Sequence, residues 1–182
     1  MLNLAAEANE RGSTLMEVLV SIVIISVALL GAGALQGKAL KSGKDGYLLS
    51  KAGFLIDDIS ERIRVNSSAA HPASTNYNML GTMTDYASLP ASYKATMCLG
   101  ALANCTPSEI GAYDVAQWLA VVGHATKGLP GGATKIVWSG KDAEITLRWL
   151  PSYAGEGNCD SDGTIGLTEQ GYRCLSLVVS VP

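Results

Sequence analysis

A single carboxylate, Glu17, stands at the head of an apolar stretch that runs from Val18 to Leu35 without one charge. A run of about 20 apolar residues, rising roughly 1.5 Å per residue, is long enough to cross a bilayer as a helix. The stretch therefore constrains the fold more than any other: a membrane-length helix comes first, and everything else must fold outside it. A carboxylate at the edge of such a helix is costly unless a cation meets it, which makes Glu17 a functional group by default.

The residues before the run read Gly12-Ser-Thr-Leu-Met-Glu17 behind a short polar leader. This arrangement resembles the class III signal of type IV prepilins. The resemblance implies that a membrane peptidase cuts between Gly12 and Ser13, that Ser13 is then N-methylated, and that Glu17 becomes the fifth mature residue. An ordinary secretory signal places a basic region before a short apolar core and a small-residue cleavage site after it. Here the apolar run is too long for that, and a signal peptide or plain anchor leaves Glu17 unexplained. The chain departs from the family in two respects: Ser13 stands where Phe is usual, and the leader carries Glu7, Glu10 and Arg11. Lys38, Lys41 and Lys44 outweigh Arg11, so a count of positive charge would put the wrong end in the cytoplasm. The expected orientation, leader inside and C-terminal domain in the periplasm, rests on the resemblance.

From Glu17 to Lys38 the helix is similar to that of PilV-type minor pilins, whose aliphatic run ends in an element like Leu35-Gln-Gly37. Such a protein is a single-pass inner-membrane subunit that later enters a pilus. The resemblance implies priming of type IV pilus assembly within a tip or initiation complex. Its implied partners are other minor pilins, a tip adhesin, the major pilin, the inner-membrane assembly platform, the prepilin peptidase and membrane lipid, in a setting of cell adhesion and twitching motility. General secretion pseudopilins share this N-terminus and are the nearest rival. A membrane-anchored adhesive or calcium-binding module that never enters a filament is the third reading.

The layout expected is a leader over 1–12, a membrane and assembly half of the helix over 13–37, an amphipathic half over 38–66, and a β-rich periplasmic domain over 67–182. That last part is about 110–120 residues, enough for one modest core. The net charge of -3 and the lack of a C-terminal Lys/Arg cluster exclude a nucleic-acid surface. The 4 cysteines, Cys98, Cys105, Cys159 and Cys174, all follow the apolar run, where an oxidising periplasm would pair them. Three connectivities are open. The short loops suggest Cys98–Cys105 and Cys159–Cys174, and the spacings lack the C-x-x-C pairs of a zinc site.

No proline interrupts Ser13 to Asn66, which allows one continuous helix. Past Gly46, Leu48, Ala52, Leu55, Ile56, Ile59 and Ile63 share a face that a sheet should cover, and Lys51, Asp57, Asp58, Glu61, Arg62 and Arg64 fall mainly opposite. Ser67 to Thr96 reads as a polar connector. Thr106-Pro-Ser-Glu109 is a capping box that starts a helix reaching about Val122, with Tyr113, Trp118, Leu119 and Val122 inward. After the Leu129-Pro-Gly-Gly132 turn come a strand with Ile136 and Trp138, then a second with Ile145, Leu147 and Trp149 facing in and Glu144, Thr146 and Arg148 facing out. A last strand alternates Leu175, Leu177, Val179 and Val181. The expected class is α+β, a pilin fold in which the long helix packs on an antiparallel sheet with a short extra helix.

One segment suggests a metal. Asn158, Asp160, Asp162 and Glu169 occupy ligand positions of a twelve-residue calcium loop, with Gly163 at the turn. No amphipathic helix precedes the loop and Cys159 lies inside it, so a solvated turn is the preferred reading and calcium the alternative. No other cofactor is expected. His71 and His124 sit in no pattern of nucleophile, base and orienting acid, and the chain is read as a structural protein with no catalytic residues.

Overall fold

The computed structural model describes residues 14–66, 77, 81–95, 98, 104–124, 126–151, 159 and 171–181. Its elements in order are α1 (Leu15–Val65), α2 (Ala91–Ala95), α3 (Pro107–Val122), β1 (Ala133–Ser139), β2 (Asp142–Trp149) and β3 (Arg173–Ser180). The chain divides into two units, Met1–Ser42 and Gly43–Pro182. The described part of the first is helix alone. The second holds every other element together with the C-terminal part of α1.

Within the second unit the amphipathic stripe sets the architecture. Leu48, Ala52, Leu55, Ile56, Ile59 and Ile63 are buried in one contiguous cluster with Val115, Trp118, Leu119 and Val122 of α3 and with Ile136, Ile145, Leu147, Trp149 and Val179 of the sheet. Trp118 anchors the two helices to each other: its indole Nε1 donates to the Leu55 carbonyl of α1 at 2.7 Å. A buried indole needs such a partner, and finding it on a helix backbone fixes where α3 crosses.

The start of α3 is built as the capping box requires. Thr106 Oγ1 accepts from the Glu109 backbone at 3.3 Å, and the Thr106 backbone donates to Glu109 Oε2 at 2.7 Å. That backbone bond, reinforced by the Thr106 hydroxyl, holds the Glu109 carboxyl below its ordinary value. At the other end Gly123 caps, and the Leu129-Pro-Gly-Gly turn folds back beneath it with Leu129 N donating to Val122 O at 2.8 Å. Glycine is required here, since Gly131 has φ +60 and a Cβ on Gly132 would lie 2.7 Å from the Val122 carbonyl.

The sheet is antiparallel and 3-stranded in the order β1-β2-β3. Gly140, at φ +62, makes the tight β1–β2 hairpin, and the register aligns Ile136 with Ile145 and Ile145 with Leu177. The inward side carries Ile136, Ala143, Ile145, Leu147 and Val179. Several positions differ from a strict alternation. Thr146 is buried on the outward side, where its hydroxyl pairs with Ser176 Oγ at 3.1 Å. Leu177 is 42% exposed although its cross-strand partner Ile145 is fully buried. Trp138 is half-buried and only packs against the core.

The connector is also more structured than its composition suggests. It contains α2, which packs against α3, and it contributes Tyr77, Leu89 and Tyr93 to the core. Tyr77 lies against Gly111 of α3, where an added Cβ would come within 3.1 Å of the phenol ring. An isolated bridge sets Thr84 beside Thr134 of β1.

Candidate functional site

The first turn of α1 presents Glu17 on an exposed helix surface. The turn is closed by Glu17 N and Val18 N donating to the Thr14 carbonyl at 2.9 and 3.3 Å. Beyond it lies a strongly apolar stretch, none of whose residues is buried inside the molecule. Its serines are satisfied internally: Ser21 Oγ donates to the Glu17 carbonyl at 2.8 Å and Ser26 Oγ to the Ile22 carbonyl at 2.7 Å. Hydroxyls bonded back onto their own helix need nothing from the surroundings, as an apolar medium demands. The helix is long and apolar enough to cross a membrane. A helix that is apolar all round finds its neighbours in lipid or in other apolar helices. A carboxylate at the edge of such a segment is costly in an apolar medium unless a cation or hydrogen-bond donors meet it.

Gly12 and Ser13, the proposed cleavage pair, lie outside the described residues, as do Asn158, Asp160, Asp162 and Glu169 of the calcium-loop reading. The flanks of that loop are described. Cys159 and Tyr172 exchange two backbone hydrogen bonds, at 3.1 and 3.2 Å, and a disulfide joins Cys159 to Cys174. The Arg148 guanidinium stacks 4.4 Å from the centre of the Tyr172 ring beside this junction. A second disulfide joins Cys98 to Cys105, the residue before the N-cap of α3. No group of three or more His, Cys, Asp or Glu side chains that could hold a metal occurs among the described residues. His124 is exposed, and its Nδ1 accepts from the Thr126 and Lys127 backbones at 3.2 Å each, a turn-closing role.

Sequence reasoning did not foresee the polar junction where α1, α3 and the connector meet. Asp114 accepts from Tyr77 Oη at 2.7 Å through one carboxylate oxygen and from Arg62 Nη1 at 3.2 Å through the other. Arg62 also bonds Asp58 one turn earlier, and Asn66 Nδ2 donates to the Pro107 carbonyl at 2.8 Å. Burial, followed by the bond to Asp114, pushes the Tyr77 phenol well above its ordinary value. Burial works against the Arg62 charge, but Asp58 and Asp114 together outweigh it and raise the guanidinium above its usual value. The (i, i+4) spacing of Asp58 and Arg62 was readable; the link across to Asp114 and Tyr77 was not. The junction locks these elements together.

Two family models match the chain. One, described as type IV pilin Tt1218, covers residues 34–116, from the apolar run of α1 into α3. The other, the prokaryotic N-terminal methylation motif, covers residues 8–33 and so spans Gly12, Ser13 and Glu17. No curated protein and no solved structure matches significantly. The fold is α+β and pilin-like, a long N-terminal helix on a 3-stranded antiparallel sheet with short extra helices. The similarity of residues 34–116 to a type IV pilin and of residues 8–33 to the N-terminal methylation motif supports a pilus- or pseudopilus-related pilin.

Proposed function

We propose that this protein is a minor pilin of the PilV type that helps prime type IV pilus assembly within a tip or initiation complex. It waits in the inner membrane, with its C-terminal domain in the periplasm, until it enters the filament. The observation that carries this reading is Glu17, the lone carboxylate on the first turn of an unburied membrane-length helix and inside the methylation motif. Cleavage after Gly12 would free the amino group of Ser13, and its methylated cation would neutralise a glutamate of a neighbouring subunit within the apolar bundle. A subunit in the wrong register leaves both charges unpaired in a medium of low dielectric, so pairing selects register. A glutamate at this position implies a subunit above it. The priming complex then places this chain beneath or beside a tip adhesin.

A deletion strain tests the proposal directly. Loss of the gene should sharply reduce surface pili, and the detergent-solubilised protein should bring down other minor pilins. Normal pilus number combined with a defect in protein secretion would assign the chain to a secretion pseudopilus instead. Normal pili and normal secretion would leave only the anchored-module reading.

A further inference from the structure

Between Glu17 and Asp45 the chain carries no carboxylate, and its only charges there are Lys38, Lys41 and Lys44. All of them lie in the stretch of α1 between Leu35, where the apolar run ends, and Leu48, the first residue of the helix buried in the core. At three-residue spacing each lysine steps back about 60° around the helix from the one before, so together they occupy about a third of its circumference. Lys38 and Lys44 are exposed and Lys41 is half-buried. Leu40, between them in sequence, is 78% exposed.

The helix runs unbroken through this stretch, so depth follows from the rise per residue. Counted from Leu35, Lys38 lies roughly 4.5 Å, Lys41 roughly 9 Å and Lys44 roughly 13.5 Å along the axis. The headgroup layer is roughly 5–8 Å thick on each side of the hydrocarbon. Lys38 therefore falls inside that layer and Lys41 at its outer edge, while Lys44 reaches back to it along its flexible stem. Leu40 offers the same layer an apolar contact.

The chemistry of the lysines selects the lipid. An ammonium brings hydrogen-bond donors and no acceptor, which suits the oxygens of a phosphodiester. In a zwitterionic headgroup the lipid's own amine competes for that phosphate; an anionic headgroup holds no such cation. Attraction to an anionic surface grows with each lysine and fades within a Debye length, about 8 Å at physiological salt. Lysines on the periplasmic side oppose the charge rule for insertion, and binding to lipid once the helix is in place offsets that cost.

We propose that Lys38, Lys41 and Lys44 form a collar that binds anionic phospholipid headgroups of the periplasmic leaflet and sets the depth at which α1 sits. The inference rests on the membrane-anchored pilin reading, which places these residues just outside the hydrocarbon.

The test reconstitutes the full chain in phosphatidylcholine vesicles holding a trace of spin-labelled phosphatidylglycerol or spin-labelled phosphatidylcholine. Electron paramagnetic resonance then reads the share of each label immobilised at the protein. The parent should favour the phosphatidylglycerol label about threefold or more at low salt, and the preference should vanish in about 1 M salt. Replacing all of Lys38, Lys41 and Lys44 by Gln should abolish it. Lys38→Gln and Lys44→Gln should each lower it, while Lys51→Gln, further from the apolar run, should leave it unchanged. Equal immobilisation of both labels by the parent would overturn the proposal and leave the lysines to an acidic protein surface. A preference that survives loss of the lysines, or that ignores salt, would also overturn it. No immobilised lipid of either kind would overturn membrane anchoring and the collar with it. The pilus count of the deletion strain is an independent measurement, so the minor-pilin role and the lipid preference can fail separately.

Discussion

The Tyr77 hydroxyl donates to Asp114 at 2.7 Å while Arg62 holds the other oxygen of the same carboxylate at 3.2 Å. One carboxylate on α3 thus ties down both the long helix and a residue of the connector. Tyr77→Phe keeps the ring against Gly111 but removes the hydroxyl, leaving a half-buried carboxylate oxygen without this donor. The expected cost is about 1–2 kcal/mol, read as a lower melting temperature in detergent. Asp114→Ala should cost more, because it removes a partner from Tyr77 and leaves Arg62 with Asp58 alone. A Tyr77→Phe protein as stable as the parent would show that the hydrogen bond contributes nothing net.

Alkaline pH should reveal the buried tyrosines. Burial pushes Tyr93 from 10.0 up to about 12, and burial with Asp114 raises Tyr77 further. In the unfolded chain both phenols ionise near the ordinary value, so above pH 10.0 the folded state holds more protons than the unfolded one. Stability must then fall as pH rises, and their contribution is intact below that point. Tyr93→Phe should flatten the decline up to about pH 12. The check is denaturant midpoint against pH; equal slopes for parent and variant would contradict it.

How far the fold could be read from the chain differs between its parts. Helix α3 was legible to the residue because Thr106, Pro107 and Glu109 are a local signal whose geometry is complete within one turn. The core stripe of α1 was legible because helical period alone selects Leu48, Ala52, Leu55, Ile59 and Ile63. Thr146 was not, because strict alternation assumes an outward side open to water, and its place beside Ser176 depends on pairing with β3. Tyr77 was hidden for a similar reason. It sits in a polar connector, and only the absence of a side chain at Gly111, far along the sequence, makes room for its ring. Glu17 is the most conspicuous candidate in the sequence, since a charge beside an uninterrupted apolar run needs no tertiary context to stand out.

Processing is the next expectation. Glycine offers the peptidase an unobstructed backbone, so replacing Gly12 with a bulky residue should leave an uncut precursor in the membrane. In the parent, mass spectrometry should find Ser13 methylated at the mature N-terminus. A mature chain starting anywhere else would remove the basis of the assembly mechanism.

Glu17→Ala should insert and be cleaved normally, because the segment only becomes more apolar. It should lose co-purification with other minor pilins and lower the number of pili, since the cation of the neighbour is left unpaired. Glu17→Gln keeps the shape without the charge and should behave as the alanine variant does. If glutamine restores assembly, hydrogen bonding rather than charge is what Glu17 supplies.

Around the Cys159–Cys174 bridge, the two readings of the 158–169 segment make opposite claims. A disulfide closing a loop of sequence separation 15 limits the unfolded chain, and its loss should cost about 3 kcal/mol. The double variant Cys159→Ser, Cys174→Ser should therefore melt well below the parent. If Asn158, Asp160, Asp162 and Glu169 converge on calcium, chelation should also lower the melting temperature, because a ligand held only by the folded state stabilises it. Asp162→Ala should then abolish that response. The solvated-turn reading expects the disulfide effect alone, with calcium leaving the melting curve unmoved. A melting temperature that climbs with micromolar calcium in the parent and stays flat in Asp162→Ala would establish the metal site and displace the turn.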